Sequence, residues 1–183
     1  MNQLIEFWKL ASRLKNEPRR GWFQRVKLEE IESVADHSFG VAILSLFEAE
    51  RRGYDVGHVL KLALVHDLEE AITGDLTPKD KRKLTPKIVS HRKRVAKERI
   101  LANLPLRQRQ RYQRIWNELV AGRTREARLV KDLDKLEMAL QASYYESKGA
   151  STTEIKDFYR SARRAIKDGG LRKILGEVTE ERN

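Results

Sequence analysis

The chain has 183 residues and a mass of 21.4 kDa, with 40% hydrophobic and 36% charged residues and a formal net charge of +11. That balance excludes a disordered chain and a membrane-embedded one. The longest stretch free of Asp, Glu, Lys and Arg, His37 to Phe47, is 11 residues, against the ~20 a spanning helix needs. Zero cysteines exclude disulfides, thiol nucleophiles and Cys-type zinc sites. Glu6 and Lys9 interrupt the apolar pattern of Met1 to Leu10, unlike a signal peptide. A single domain over residues 1–183 in a cytoplasmic setting is expected, with no membrane contact.

Every predicted element is helical. Asn2 to Asn16 carries Leu4, Ile5, Trp8, Ala11 and Leu14 near a 3.6-residue repeat, and Glu17-Pro18 ends it. A connector holding Arg19, Arg20, Gly21 and Trp22 runs to Glu32. Ser33 then caps the next helix, with Asp36 closing a capping box. That helix, Val34 to about Arg52, is apolar on most sides, which predicts a central position; Gly53 stops it. Asp55 to Ile72 reads as a second central helix, broken after by Gly74, Thr77 and Pro78. Thr85-Pro86 starts a basic helix reaching Asn103, and Pro105 starts another ending near Gly122. Thr124–Lys148, Ser151–Lys167 and Leu171–Val178 complete the set, with Ser151 and Glu154 at capping-box spacing. With no convincing period-two alternation, the fold class is all-α.

The charge is local. Between Lys79 and Arg114 fourteen Lys or Arg face only Asp80 and Glu98, a net +12 that accounts for the whole excess. A basic helix pair binds phosphate backbones or forms a solvated face. No aromatic series interleaves these charges, which favours the solvated face over nucleic acid. Tyr112 and Trp116, four apart, read as core contacts.

Chemistry concentrates in three segments. His66-Asp67 closes the apolar run Leu60 to Val65, where an unpaired buried charge costs several kcal/mol. Such a pair requires a metal, or else a hydrogen-bonded partner at a helix interface. Glu70 lies three residues beyond Asp67 on the same helical face, and Asp75 follows. His37 stands in the first turn of the other central helix, as a third ligand from a neighbouring helix would. In Lys131 to Lys135 the helical wheel separates two aspartates. Asp134 falls in the buried arc beside Leu133 and Met138. Asp132 falls on the flank of Arg125, Arg128 and Lys135, as a surface charge paired to Arg128. Glu137 shares the buried arc, either behind a ligand or paired with an arginine. Two histidines and two aspartates make a mixed nitrogen–oxygen set, suited to Mn²⁺, Co²⁺, Fe²⁺ or Mg²⁺ more than to structural zinc. His58 and His91 have no such context.

The order His … His-Asp … Asp resembles the HD phosphohydrolases. The words Glu32-Ser33-Val34-Ala35-Asp36-His37-Ser38-Phe39, Ala63 to Asp75 and Val130 to Met138 are more specific. With Arg19-Arg20-Gly21-Trp22 and Asp157-Phe158-Tyr159, they resemble the YfbR-type and HD-domain-containing-protein-2-like 5′-deoxynucleotidases. The resemblance covers residues 19–159 as a core, with C-terminal helices over 151–178 packed on it. It implies an orthogonal helical bundle, usually a homodimer, that hydrolyses 2′-deoxynucleoside 5′-monophosphates with a divalent metal (Mn, Co, Fe, Mg or Zn). By motif, His37, His66, Asp67 and Asp134 take the metal positions. Glu70 takes the water-activating position, and Asp75 one that contacts the sugar 3′ hydroxyl or assists proton transfer. Arg19 or Arg20 would hold phosphate. Trp22 would crowd the sugar 2′ position, or else plug the bundle. Two departures stand out: Gly40 where many relatives carry arginine, and Asp36 where glutamate is common. Other nucleotides as substrates, and a non-catalytic nucleic-acid-binding role, are the alternative readings.

Overall fold

Capping fixes most of the helix boundaries. The computed structural model describes residues 2–180 and contains eleven α-helices among them. Met1 and residues 181–183, included in the expected domain, lie outside the described residues. The helices are α1 (Gln3–Ala11), α2 (Arg20–Phe23), α3 (Val34–Arg52), α4 (Val56–Val65), α5 (Glu70–Thr73), α6 (Pro78–Lys83), α7 (Pro86–Leu101), α8 (Leu106–Ala121), α9 (Arg125–Ser147), α10 (Thr152–Ala165) and α11 (Gly169–Glu180). No strand is present among the described residues, so the fold is all-α as expected.

The cap assignments at α3, α7 and α10 match the sequence. Ser33 and Asp36 form a reciprocal capping box, Gly53 ends α3 at φ 62°, and Ser151 with Glu154 caps α10. Thr85 caps α7 with Pro86 in its first turn. α9 is the pillar of the bundle, 23 residues long, and α3, α4, α8, α10 and α11 all pack on it. The stripe Val34, His37, Val41, Ser45 and Ala49 of α3 is buried, its small C-terminal members letting neighbouring helices come close.

Four expectations need correction. Asp55 to Ile72 is not one helix. α4 ends at Val65, and residues 66–69 form a tightened turn in which Leu68 N–H reaches Val65 O, 3.3 Å, and Glu70 N–H reaches Asp67 O, 2.9 Å. Successive side chains in such i→i−3 turns stand ~120° apart rather than ~100°, which re-aims His66 and Asp67. The predicted breaks also hide two short helices, α2 in the connector and α6 after Thr77. The apolar set of the first helix is misassigned. Leu4, Ile5 and Trp8 are exposed, Leu10 and Leu14 are buried, and α1 gives way to a 3₁₀ helix, Ser12–Asn16. Finally, α3 is central but not covered all round, since Phe39, Ile43 and Phe47 are exposed.

The connector is closed into a loop by an antiparallel bridge between Pro18 and Ser33, with Arg19 N–H on Glu32 O at 3.0 Å and Val34 N–H on Glu17 O at 2.8 Å. This brings Arg19 and Trp22 to the start of α3. No helix among the described residues is long and apolar enough to cross a membrane.

Candidate metal centre and adjoining cavity

Three chain segments bring the His and Asp residues together. His37 comes from the first turn of α3, His66 and Asp67 from the tightened turn after α4, and Asp134 from mid-α9. His37 Nε2 lies 3.2 Å from His66 Nε2 and 3.3 Å from Asp134 Oδ1. Asp67 Oδ2 lies 3.3 Å from His66 Nε2 and 3.8 Å from His37 Nε2. Donor atoms that sit ~2.0–2.2 Å from one ion are about 3 Å apart in adjacent coordination positions, so this spacing suits a shared cation. Ligand atoms of His37, His66 and Asp134 all fall within 4.8 Å of one another.

The outer ring nitrogens decide which ring atom faces the centre. His37 Nδ1–H donates to Glu137 at 2.5 Å, and His66 Nδ1–H donates to Ala63 O at 2.6 Å. Both Nε2 lone pairs are thereby turned inward, the arrangement metal-bound histidines adopt. Glu137 thus stands behind a histidine rather than beside an arginine. Gly40 explains how Glu137 gets there, since a Cβ at Gly40 would sit 2.7 Å from Glu137 Oε1. The absence of a side chain at Gly40 makes room for this carboxylate.

The electrostatics favour positive charge at the two Nε2 atoms. Burial and Arg19 push His37 down, but the hydrogen bonds of Asp134 and Glu137 outweigh them and lift it to about 10. Burial opposes ionisation of Asp67, yet His66 and Arg19 hold it well below the usual carboxylate range. Asp134 is held down likewise, against burial, by Lys135 and His37. A divalent cation would supply the positive charge that these carboxylates demand.

Above the cluster opens a cavity of about 810 Å³, within the size range of small-molecule sites. Asp67, Asp134, Glu70 and Asp75 line it, with Arg19 and Trp22 on the connector side. Glu70 is buried, and its Oε2 has no hydrogen-bond partner among the described residues. Burial, then the charges of Asp67 and Asp75, raise it to about 9. Asp75 accepts the Arg20 N–H at 2.8 Å through Oδ2.

The two arginines part company here. Arg19 is half-buried and reaches Asp67 Oδ2 at 3.4 Å, whereas the Arg20 side chain turns to Asp80 at 3.8 Å and does not line the cavity. Trp22 is 1% exposed. It stacks on Phe158 at 3.6 Å, meets Tyr145 edge-on and donates its indole N–H to Glu32 at 2.7 Å.

Asp132 is the plain error of the wheel. It is 8% exposed, and its Oδ2 accepts Lys167 N–H at 3.0 Å and Asp168 N–H at 2.8 Å. The α10–α11 turn folds over that flank and makes it interior. His58 pairs with Glu118 and His91 is exposed, both away from the cluster. Trp116 is buried and Tyr112 packs against the core, as read.

Sequence reasoning missed the cavity's basic side. Lys79, Lys81 and Arg82 of α6, Lys93 of α7 and Lys135 of α9 all line it. Lys93 also donates to the buried Glu69 at 2.9 Å, next to Glu70 in the chain. The available signal was the run of cations starting four residues after Asp75; it points at the cavity as well as at solvent.

A helical bundle with His, His-Asp and Asp gathered under a polar cavity is the construction of the HD domain. The chain belongs to the HD domain family, which matches residues 11–174. It is 35% identical over 181 residues to 5′-deoxynucleotidase HDDC2 of Xenopus laevis, covering 98% of this chain and 88% of that one. The structure of the PH0347 protein from Pyrococcus horikoshii OT3 is similar with a TM-score of 0.78 at 31% identity, over 96% of this chain and 98% of that one. The HD phosphohydrolase DatZ of cyanophage S-2L, solved with dA and one catalytic Zn²⁺ ion, shares the fold. Its TM-score is 0.55 at 20% identity, with 94% of each chain covered.

Proposed function

We propose that the protein is a divalent-metal-dependent phosphomonoesterase that hydrolyses 2′-deoxynucleoside 5′-monophosphates to deoxynucleoside and phosphate. The observation that carries this reading is the set of inward-facing Nε2 and carboxylate atoms beneath a cation-lined cavity. Near full-length identity to proteins named 5′-deoxynucleotidases supports the substrate class.

In this reading His37, His66, Asp67 and Asp134 hold the ion. Bound there, a divalent cation polarises a phosphoryl oxygen and lowers the pKa of a water. Arg19, oriented by Asp67, neutralises charge on the phosphoryl oxygens. Glu70, its Oε2 unpartnered, takes the proton of the attacking water and returns it to the O5′ oxygen as the phosphorus–O5′ bond breaks. A cation held by Asp67 would cancel the part of that rise that comes from the Asp67 charge and so favour the proton-accepting form of Glu70. Asp75 has Oδ2 committed to the Arg20 N–H, leaving Oδ1 for the sugar 3′ hydroxyl. Lys79, Lys81 and Arg82 draw the dianionic substrate toward the mouth. Trp22 borders the cavity as a wall fixed by Phe158 and Glu32, rigid enough to crowd a 2′ hydroxyl.

The test is phosphate release from deoxy- and ribonucleoside monophosphates, a cyclic nucleotide, a triphosphate and guanosine tetraphosphate, each with Mn²⁺, Co²⁺, Fe²⁺, Mg²⁺ and Zn²⁺. Deoxynucleoside monophosphates are expected to turn over fastest. Faster turnover of any other class overturns the substrate assignment.

The working form we propose is a cytoplasmic homodimer. Phe39, Ile43 and Phe47, spaced four apart on α3 and exposed, give it an apolar face. Sedimentation should show twice the chain mass, and Phe39→Glu should return it to one; a monomeric wild type refutes the dimer.

A further inference from the structure

A second cavity, of about 700 Å³, runs along α9 between the end of α3 and the α10–α11 turn. Arg125, Arg128, Lys131 and Lys135 line it from one face of α9, and Arg52 and Lys167 stand opposite. This is the flank that the helical wheel assigns to solvent.

Its acids are already committed. Asp132 takes the two backbone N–H groups of the turn. Asp168 accepts from Arg52 at 2.6 and 3.0 Å and from Leu171 N–H at 3.0 Å. Asp134 is shared between His37 and Lys135. Arg52 and Lys135 are paired with those acids, but three further cations bond only uncharged groups. Arg128 donates to Arg123 O, Lys131 to Val120 O and Lys167 to Arg164 O, at 2.8, 3.1 and 3.0 Å, all main-chain carbonyls without formal charge. Arg125, paired with the adjacent Glu126, lies 4.3 Å over the Tyr54 ring.

We propose that this cavity is a second anion site that takes the polyphosphate of a nucleoside triphosphate. Cations strung over about 15 Å of α9 exceed what one phosphate needs. Tyr54, Leu129 and Ala165 supply an apolar wall for the nucleoside. Lys135 links the two cavities, for it lines both and holds Asp134 Oδ2 at 3.0 Å. An occupant of the second cavity and the chemistry at Asp134 therefore draw on one lysine. That regulatory consequence rests on the metal reading above; the binding itself does not.

Calorimetric titration with inorganic tripolyphosphate, and separately with dATP, tests it. Arg128→Glu combined with Lys167→Glu, both exposed positions, should weaken binding of both probes at least tenfold. Lys81→Glu combined with Arg82→Glu, at the other cavity, should leave that component in place. Circular dichroism checks that both doubles fold. Unchanged affinity in the first double variant, or loss of all binding in the second, overturns the site. dATP binding no more tightly than tripolyphosphate overturns its nucleoside part.

Discussion

At the base of the larger cavity, His37, His66, Asp67 and Asp134 are each in contact with at least one other member, and a further carboxylate or carbonyl fixes each histidine from behind. At its mouth, Lys79, Lys81 and Arg82 stand exposed on a helix of six residues whose one acid, Asp80, is committed to the Thr77 cap. The base spends many interactions on a few atoms and gains fixed geometry. The mouth offers charge without geometry, enough to raise local substrate concentration but not to orient it. Trp22 stands between the two, a core side chain whose edge borders the cavity.

The sharpest way to break this contrast is at the base. His66→Ala should remove bound metal and phosphatase activity together while helix content stays near that of wild type, by elemental analysis, kinetics and circular dichroism. Full metal occupancy with near-normal turnover would sink the ligand assignment.

Glu70→Gln should be the next largest effect, a drop in turnover of ~10²–10⁴ with metal retained, the usual share of a general base. Equal loss of metal and rate would make Glu70 a ligand instead.

Trp22→Ala probes the boundary between base and mouth. Loss of a buried, stacked indole should cost about 3–5 kcal/mol in denaturant unfolding. As a sugar gate it should also raise kcat/KM for a ribonucleotide relative to its deoxy counterpart. Stability loss with an unchanged ratio leaves Trp22 a plug alone.

Asp132→Asn should be the smallest effect, about 1–3 kcal/mol of stability, because its oxygen serves two backbone N–H groups. Turnover should not move. A large kinetic loss would show that the base extends across α9.

Much of this protein is written locally. Ser33–Asp36, Thr85–Pro86 and Ser151–Glu154 set helix starts through contacts within four residues, so they are readable without a fold. The His, His-Asp and Asp words are equally local, and the structure brings all four residues to one place. Glu70 and Asp75 arrive at the same cavity. Arg19 and Arg20 could not be separated in sequence, because a bridge from Pro18 to Ser33 decides which of them turns inward.

Where a reading failed, a distant segment had covered or uncovered a face. A helical wheel gives the angle between Asp132 and Asp134, but the turn that buries Asp132 lies 35 and 36 residues further on. The same holds for Leu4, Ile5 and Trp8, apolar yet exposed, and for His66, whose turn tightens where a propensity scale would continue the helix. Periodicity and capping are properties of neighbouring residues, and are therefore legible in the chain alone. Burial is a property of what else arrives at that face, which only the packing of α9 against its partners decided.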